Sequence, residues 1–125
     1  MEAAKEICPT TTYKKAFEEN ALLVDVREPA DVEKLSFDVP NIINIPISEF
    51  ETRYTEIPKD KEVVMVCKSG VSSLKATYFL MNHDYTNVYN MRDGIEKWVR
   101  KRFPVKGDVS SLENSIDCCS SPNCC

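Results

Sequence analysis

The sequence has no long apolar run. No segment approaches the roughly 20 consecutive apolar residues that a helix needs to cross a bilayer. The first ten residues, MEAAKEICPT, also lack the apolar centre of a secretory signal. The sequence therefore predicts no membrane partner, and we expect the protein in the cytoplasm.

Positive charge is in deficit relative to negative charge. The 16 lysines and arginines are outnumbered by 20 aspartates and glutamates, which leaves a formal net charge of -4. A surface with this balance has no general attraction for phosphate backbones or anionic lipids, so we expect no nucleic acid partner. The short basic run at 100–102 falls in the last turn of a predicted helix, where cations are favourable, and is interpreted as a solvated face.

The remaining composition is that of one globular domain. The chain has 125 residues, of which 42% are hydrophobic and 29% are charged, and it contains no internal repeat. This length supports one core and not two independent ones. We expect a monomer with a folded domain at 1–106 and a flexible, serine-rich and cysteine-rich tail at 107–125.

Helical and strand patterns alternate along the domain. Amphipathic or capped segments predict helices at 10–20, 30–36, 48–54, 72–83 and 95–102. Apolar segments predict strands at 22–26, 42–45, 63–66 and 87–90. The run VVMV at 63–66 is continuous and rich in β-branched residues, as in strands covered on both faces. Short connections between alternating elements indicate an α/β fold with a parallel sheet.

Cys67 directly follows this best strand and is the leading candidate for a catalytic residue. Open α/β sheets bind their ligands at the carboxyl ends of the strands. Gly70 allows a tight turn, after which backbone N–H groups and a helix start can favour a thiolate. Ser69 and Ser73 add hydroxyl donors, and Lys68 adds positive charge at the rim. The alternative is a buried structural cysteine.

Four motifs, DVRE, INIP, VVMVCKSG and GIEKW, occur between residues 22 and 98 in the order found in the rhodanese family. The sequence resembles that family over most of the predicted domain. The resemblance implies a single doubly wound domain, with a parallel sheet of four or five strands flanked by helices. It also implies a sulfurtransferase in which Cys67 carries sulfane sulfur as a persulfide.

The same resemblance implies the partners and the site. The donor would be a small sulfane-sulfur compound or a persulfidated protein, the acceptor a thiol or cyanide, and no cofactor would be required. The substrate would be held by the loop residues Lys68, Ser69, Gly70, Val71, Ser72 and Ser73. Asp25 and Arg27 match a motif that is mainly structural in the family.

Ser72 departs from the pattern CxxGxRS, in which many active relatives carry arginine. Without the guanidinium the loop lacks a fixed cation and a bidentate grip on an oxyanion. We therefore expect weak use of thiosulfate and better use of protein persulfides or polysulfides. A phosphatase or arsenate reductase with a CxxxxxR loop is disfavoured, because neither Ser72 nor Ser73, the sixth residue after Cys67, is an arginine.

The tail supplies four more cysteines, Cys118, Cys119, Cys124 and Cys125. Their thiolates could together bind a soft metal or metalloid ion, although the spacing differs from that of structural zinc sites. Alternatively, they could accept sulfur from Cys67, or they could have no role in the folded protein. A noncatalytic rhodanese-like module that binds a partner or a metal through this tail is the alternative to an enzyme. His83, the single histidine, is interpreted as a capping or surface residue.

Overall fold

A computed structural model describes residues 4–68 and 70–107 of the chain. The strands are β1 (Lys5–Ile7), β2 (Leu22–Asp25), β3 (Leu35–Phe37), β4 (Ile42–Asn44), β5 (Val63–Val66), β6 (Val88–Met91) and β7 (Val105–Gly107). The helices are α1 (Pro9–Glu18), α2 (Pro29–Lys34), α3 (Phe50–Arg53), α4 (Val71–Met81) and α5 (Gly94–Arg100). Short 3-10 turns at Ile47–Glu49 and Tyr54–Glu56 flank α3.

Five strands form one parallel sheet in the order β1-β6-β5-β2-β4. From β2 the chain adds β4 on one side, and from β5 it adds β6 on the other side. The order therefore reverses between β2 and β5, which makes their carboxyl ends the switch point where such sheets place ligands. The predicted α/β class and the parallel sheet are confirmed.

Apolar side chains on the two faces of the sheet form two cores. Alternate residues of β5 divide between them, with Val63 and Met65 on the face covered by α3 and α4. Val64 and Val66 point to the other face, where Trp98 of α5 is fully buried. Helices thus cover both faces, as in a doubly wound domain, and β5 is buried along its whole length.

Three short strands were not predicted from the sequence. The helix predicted at 30–36 ends at Lys34, and Leu35–Phe37 instead forms β3, which pairs antiparallel with β7. Leu35 and Phe37 are buried on either side of Ser36, and this alternation is the pattern of a strand. β1 has only three residues with little apolar character, and it is stabilised by its pairing with β6.

A buried ion pair fixes the segment that follows β2. Arg27 contacts Asp25 with Nη2 and Oδ2 2.8 Å apart, and the two side chains are 8% and 1% exposed. Arg27 also donates from Nη2 to the Leu35 carbonyl at 2.6 Å. These bonds tie the end of β2 to the strand after α2, which is the structural role that the family resemblance implies.

The described residues end in β7, so the predicted tail lies outside them apart from Gly107. The division of the chain at residue 106 stays a prediction. Within residues 4–68 and 70–107, no helix combines the length and the apolar character required to span a bilayer. The compartment stays a prediction.

Glu62, next to the sheet, provides a test of stability. Its carboxylate accepts a hydrogen bond from Lys15 at 3.0 Å, and this bond lowers the pKa of Glu62 below its ordinary 4.5. A lowered pKa stabilises the fold above pH 4.5, and this stabilisation is lost as the pH falls through the lower folded value. Glu62→Gln is expected to reduce the free energy of unfolding at pH 7 by about 0.5–1 kcal/mol.

Urea unfolding at pH 7 and at pH 3 measures this effect, with Glu33→Gln on the exposed face of α2 as the control. The difference between wild type and Glu62→Gln should shrink at the lower pH. A difference that is equal at both pH values would contradict the assigned ion pair.

Candidate active site

Cys67 lies at the carboxyl end of β5, beside the switch point of the sheet. Its side chain is 3% exposed, so the sulfur sits at the bottom of a depression. The chain then turns through Gly70, which precedes the first residue of α4. Together, the buried strand and the following helix give the sulfur one fixed position.

Three groups of the loop contact the Cys67 sulfur. The backbone N–H groups of Gly70 and Ser73 donate to Sγ at 3.0 and 3.4 Å. The thiol in turn donates to Oγ of Ser73 at 3.2 Å. Donors arranged in this way around a sulfur can stabilise negative charge on it, and the amino-terminal end of α4 adds its positive partial charge.

Gly70 is required by the geometry of this loop. Its φ of +97° is strained for any residue with a side chain. A Cβ at this position would lie 3.0 Å from the Asp93 nitrogen and 3.4 Å from the Met91 oxygen. The glycine therefore lets the loop approach the end of β6 and direct its N–H at the sulfur.

Asn90 of β6 completes a closed hydrogen-bond network under the loop. Its Oδ1 accepts a short hydrogen bond from the Ser73 hydroxyl, and its Nδ2 donates to the Gly70 carbonyl at 3.3 Å. Asn90 is 1% exposed. It was missed in the sequence, where only its polar character near the carboxyl end of a strand could have indicated it.

The network also determines how Ser73 responds to the state of Cys67. The Ser73 hydroxyl has one proton, which is donated to Asn90 while the Cys67 thiol donates to Ser73. Once the sulfur has lost its proton it only accepts, and the hydroxyl can rotate to donate to it. The two backbone N–H groups donate in either case.

Asn90→Ala provides a test of this network. It would leave the part-buried Gly70 carbonyl and the buried Ser73 hydroxyl without this partner, so we expect a loss of about 1–3 kcal/mol in the free energy of unfolding. Ser73→Ala removes the other member of the pair. In a double-mutant cycle measured by urea unfolding, the double variant should lose less free energy of unfolding than the sum of the losses in the two single variants. Additive losses would contradict the coupling.

A cleft of about 220 Å³ opens above Cys67. Its lining residues are Val26, Arg27, Glu28, Asp31, Ile47, Cys67, Lys68 and Ser72. The lining comes from the segments that follow β2, β4 and β5. The switch point of the sheet is therefore an open cleft with the sulfur at its base.

The charges of the cleft do not favour a dianion. Arg27 lines it but is paired with Asp25, and the other charged residues of the lining are Lys68, Glu28 and Asp31. Ser72 takes the second position of α4 and presents no cation to the cleft. The carboxylates of Glu28 and Asp31 were not singled out in the sequence, because only the fold brings the start of α2 next to Cys67.

The structure brings together five of the predicted site residues. Cys67, Gly70 and Ser73 form the hydrogen-bonded cradle, while Lys68 and Ser72 line the cleft. Val71 is adjacent but points outward and is 61% exposed. Ser69 lies outside the described residues. The assignment of these residues to substrate stays a prediction.

The predicted metal ligands Cys118, Cys119, Cys124 and Cys125 also lie outside the described residues. Within the part of the chain that is described, no three His, Cys, Asp or Glu residues form a group that could hold a metal ion. His83 bonds the Phe79 carbonyl through Nδ1 at 2.8 Å and lines a different groove. This bond near the end of α4 agrees with the interpretation of His83 as a capping or surface residue.

Fold and site together define a parallel α/β domain that presents a cysteine in a cradle of N–H groups at its switch point. The rhodanese-like domain family matches residues 9–101. The chain therefore belongs to the rhodanese-like domain family.

Individual relatives agree with this assignment. The chain is 39% identical to a sulfurtransferase from Allochromatium vinosum over 70% of its own length and 79% of that protein. It is 32% identical to the thiosulfate sulfurtransferase GlpE of Actinobacillus succinogenes, over 83% of its own length and 92% of that protein. A rhodanese-related protein from Thermoplasma volcanium has a crystal structure similar to this fold, with a TM-score of 0.74 and 29% sequence identity. The similarity covers 83% of this chain and 99% of that protein.

Proposed function

We propose that this protein is a sulfurtransferase that relays sulfane sulfur between thiols through a persulfide on Cys67. The observation that carries the proposal is the position of the Cys67 sulfur, buried at the switch point with the Gly70 and Ser73 N–H groups directed at it. Relatives named sulfurtransferase and thiosulfate sulfurtransferase support the transferase class.

In the loading step, the Cys67 thiolate attacks the outer, sulfane sulfur of the donor. A bond forms between the two sulfurs while the donor's own bond to the sulfane sulfur breaks, and the electron pair of that bond leaves with the donor. The sulfur is transferred with no external oxidant or reductant. The cradle N–H groups hold the negative charge before the attack, and the open cleft leaves room for the added atom.

Electrostatics favour donors other than thiosulfate. A thiosulfate dianion would meet the carboxylates of Glu28 and Asp31. Of the two cations among the described lining residues, Arg27 is paired with Asp25, which leaves Lys68. The position of Ser72 offers no guanidinium for a bidentate grip. A persulfide of a thiol carries less charge and needs no such grip, so it suits the cleft better.

The test is the rate at which Cys67 acquires sulfur from two donors, thiosulfate and 2-mercaptoethanol persulfide. Samples are quenched at successive times and digested, and the mass of the peptide that contains Cys67 is measured by mass spectrometry. Each rate is divided by the rate of the same donor with free N-acetylcysteine, which removes the donors' intrinsic reactivity. We expect this corrected loading rate to be about tenfold or more higher for the persulfide than for thiosulfate.

The result separates the two parts of the proposal. Equal or faster loading from thiosulfate would contradict the donor preference and leave the transferase intact. No loading of Cys67 from either donor would contradict the transferase itself and favour a noncatalytic rhodanese-like module.

A further inference from the structure

Two exposed apolar side chains belong to the segments that form or adjoin the Cys67 cleft. Among the described residues, the large hydrophobic side chains that are exposed are those of Phe17, Ile47 and Val71. Ile47 lines the cleft and is 38% exposed. Val71 lies between Gly70, which donates to the sulfur, and Ser72, which lines the cleft. Apolar groups around a reactive atom suit a protein surface better than a small hydrophilic anion.

Exposed carboxylates lie at the same mouth. Glu28 and Asp31 both line the cleft and are exposed to solvent. The Ser48 hydroxyl donates to Glu28 at 3.3 Å, and Glu28 and Ile47 line the same cleft. With Arg27 engaged by Asp25, these carboxylates outnumber the cation of Lys68. A partner that approaches the sulfur gains from positive charge near its own reactive atom.

We propose that this mouth docks a protein segment whose cysteine is flanked by lysine or arginine and by an apolar side chain. The proposal rests on the sulfur relay through Cys67 and names the class of thiol that takes part in it. The apolar neighbour contacts Ile47 and Val71, and the basic neighbour faces Glu28 and Asp31. The chain's own tail is a poor match, because residues 108–125 contain three acidic residues and no lysine or arginine.

The transfer step balances without a further reactant. The partner's thiolate attacks the outer sulfur of the Cys67 persulfide, and the bond between this sulfur and Sγ breaks. The electron pair returns to Cys67 as a thiolate, which the Gly70 and Ser73 N–H groups again hold. The partner leaves as a persulfide, and its basic neighbour lowers the cost of forming the attacking thiolate.

Synthetic peptides with one cysteine each provide the probe. The first carries leucine and lysine beside the cysteine, the second has glutamate in place of lysine, and the third has serine in place of leucine. Full-length protein is loaded with sulfur on Cys67, and the second-order rate of transfer to each peptide is measured. Each rate is expressed per thiolate and divided by the peptide's rate with a small free persulfide, which removes differences in intrinsic reactivity.

For wild-type protein we expect the corrected transfer rate to the lysine peptide to exceed that to the glutamate peptide by about 3- to 10-fold. This ratio should be smaller at high salt. The double variant Glu28→Gln with Asp31→Asn should bring this ratio below about twofold, whereas Glu33→Gln on the same helix should leave it unchanged. The corrected transfer rate to the leucine peptide should exceed that to the serine peptide by about threefold. Ile47→Ser with Val71→Ser should remove that advantage, and Phe17→Ser should not.

Equal wild-type rates for the lysine and glutamate peptides, or a preference that persists in the Glu28 and Asp31 variant, would overturn the docking proposal. Movement of the loaded sulfur from Cys67 to the tail in the absence of peptide would overturn it in favour of the tail as the occupant. In these cases transfer to 2-mercaptoethanol still proceeds, so the relay stands. Failure of transfer to every thiol, 2-mercaptoethanol included, contradicts the relay itself.

Discussion

Cys67→Ser is expected to abolish sulfur transfer, with a loss of about three orders of magnitude or more in the rate. A serine hydroxyl stays protonated at neutral pH and cannot hold a sulfane sulfur as a stable persulfide. The loss is therefore one of chemistry and not of binding. Turnover from a persulfide donor to a thiol acceptor measures it directly.

The substitution should leave the fold intact, because an oxygen at this position can accept from the same Gly70 and Ser73 N–H groups. An unfolding curve that overlaps that of the wild type is the control. The remaining cysteines are untouched in this variant. Transfer at the wild-type rate would therefore mean that another cysteine carries the sulfur, and the role proposed for Cys67 would be wrong.

Ser72→Arg is expected to raise kcat/KM for thiosulfate by about 10- to 100-fold, while a neutral persulfide donor gains little. A guanidinium at the second position of α4 would face the cleft and could grip the sulfonate oxygens with two charge-assisted hydrogen bonds. Such bonds contribute about 1.5–3 kcal/mol. Competition from Glu28 and Asp31, which line the same cleft, places the gain nearer the lower value.

Ser72→Gln and Ser72→Lys are the matched controls for this gain. Glutamine adds length and hydrogen-bond donors without charge, and lysine adds charge without the planar fork. We expect kcat/KM for thiosulfate to be highest in the arginine variant, lower in the lysine variant and lowest in the glutamine variant. A glutamine variant as active as the arginine variant would show that side-chain length, and not the missing cation, limits thiosulfate use.

The central features of the fold could be predicted because they follow from local patterns. VVMV predicted the buried strand β5, and a cysteine followed by a glycine turn predicted a loop at its carboxyl end. Gly70 was expected to let the loop curl, and the structure shows why in its positive φ and its close approach to β6. These inferences needed only residues close together in the chain.

Features that depend on distant pairing could not be predicted in the same way. β1 has almost no strand pattern of its own and forms because it pairs with β6. Asn90 is separated from Ser73 by 17 residues, and their hydrogen bond depends on β6 lying beside β5. Likewise, Glu28 and Asp31 become part of the site only because β2 and β5 are neighbours.

A persulfide on Cys67 is measured by the mass of the Cys67 peptide after wild-type protein is exposed to a persulfide donor. We expect this peptide to gain the mass of one sulfur atom and to lose it when an acceptor thiol is added. A Cys67 peptide of unchanged mass, in protein whose unfolding curve is normal, would show that Cys67 does not carry the sulfur.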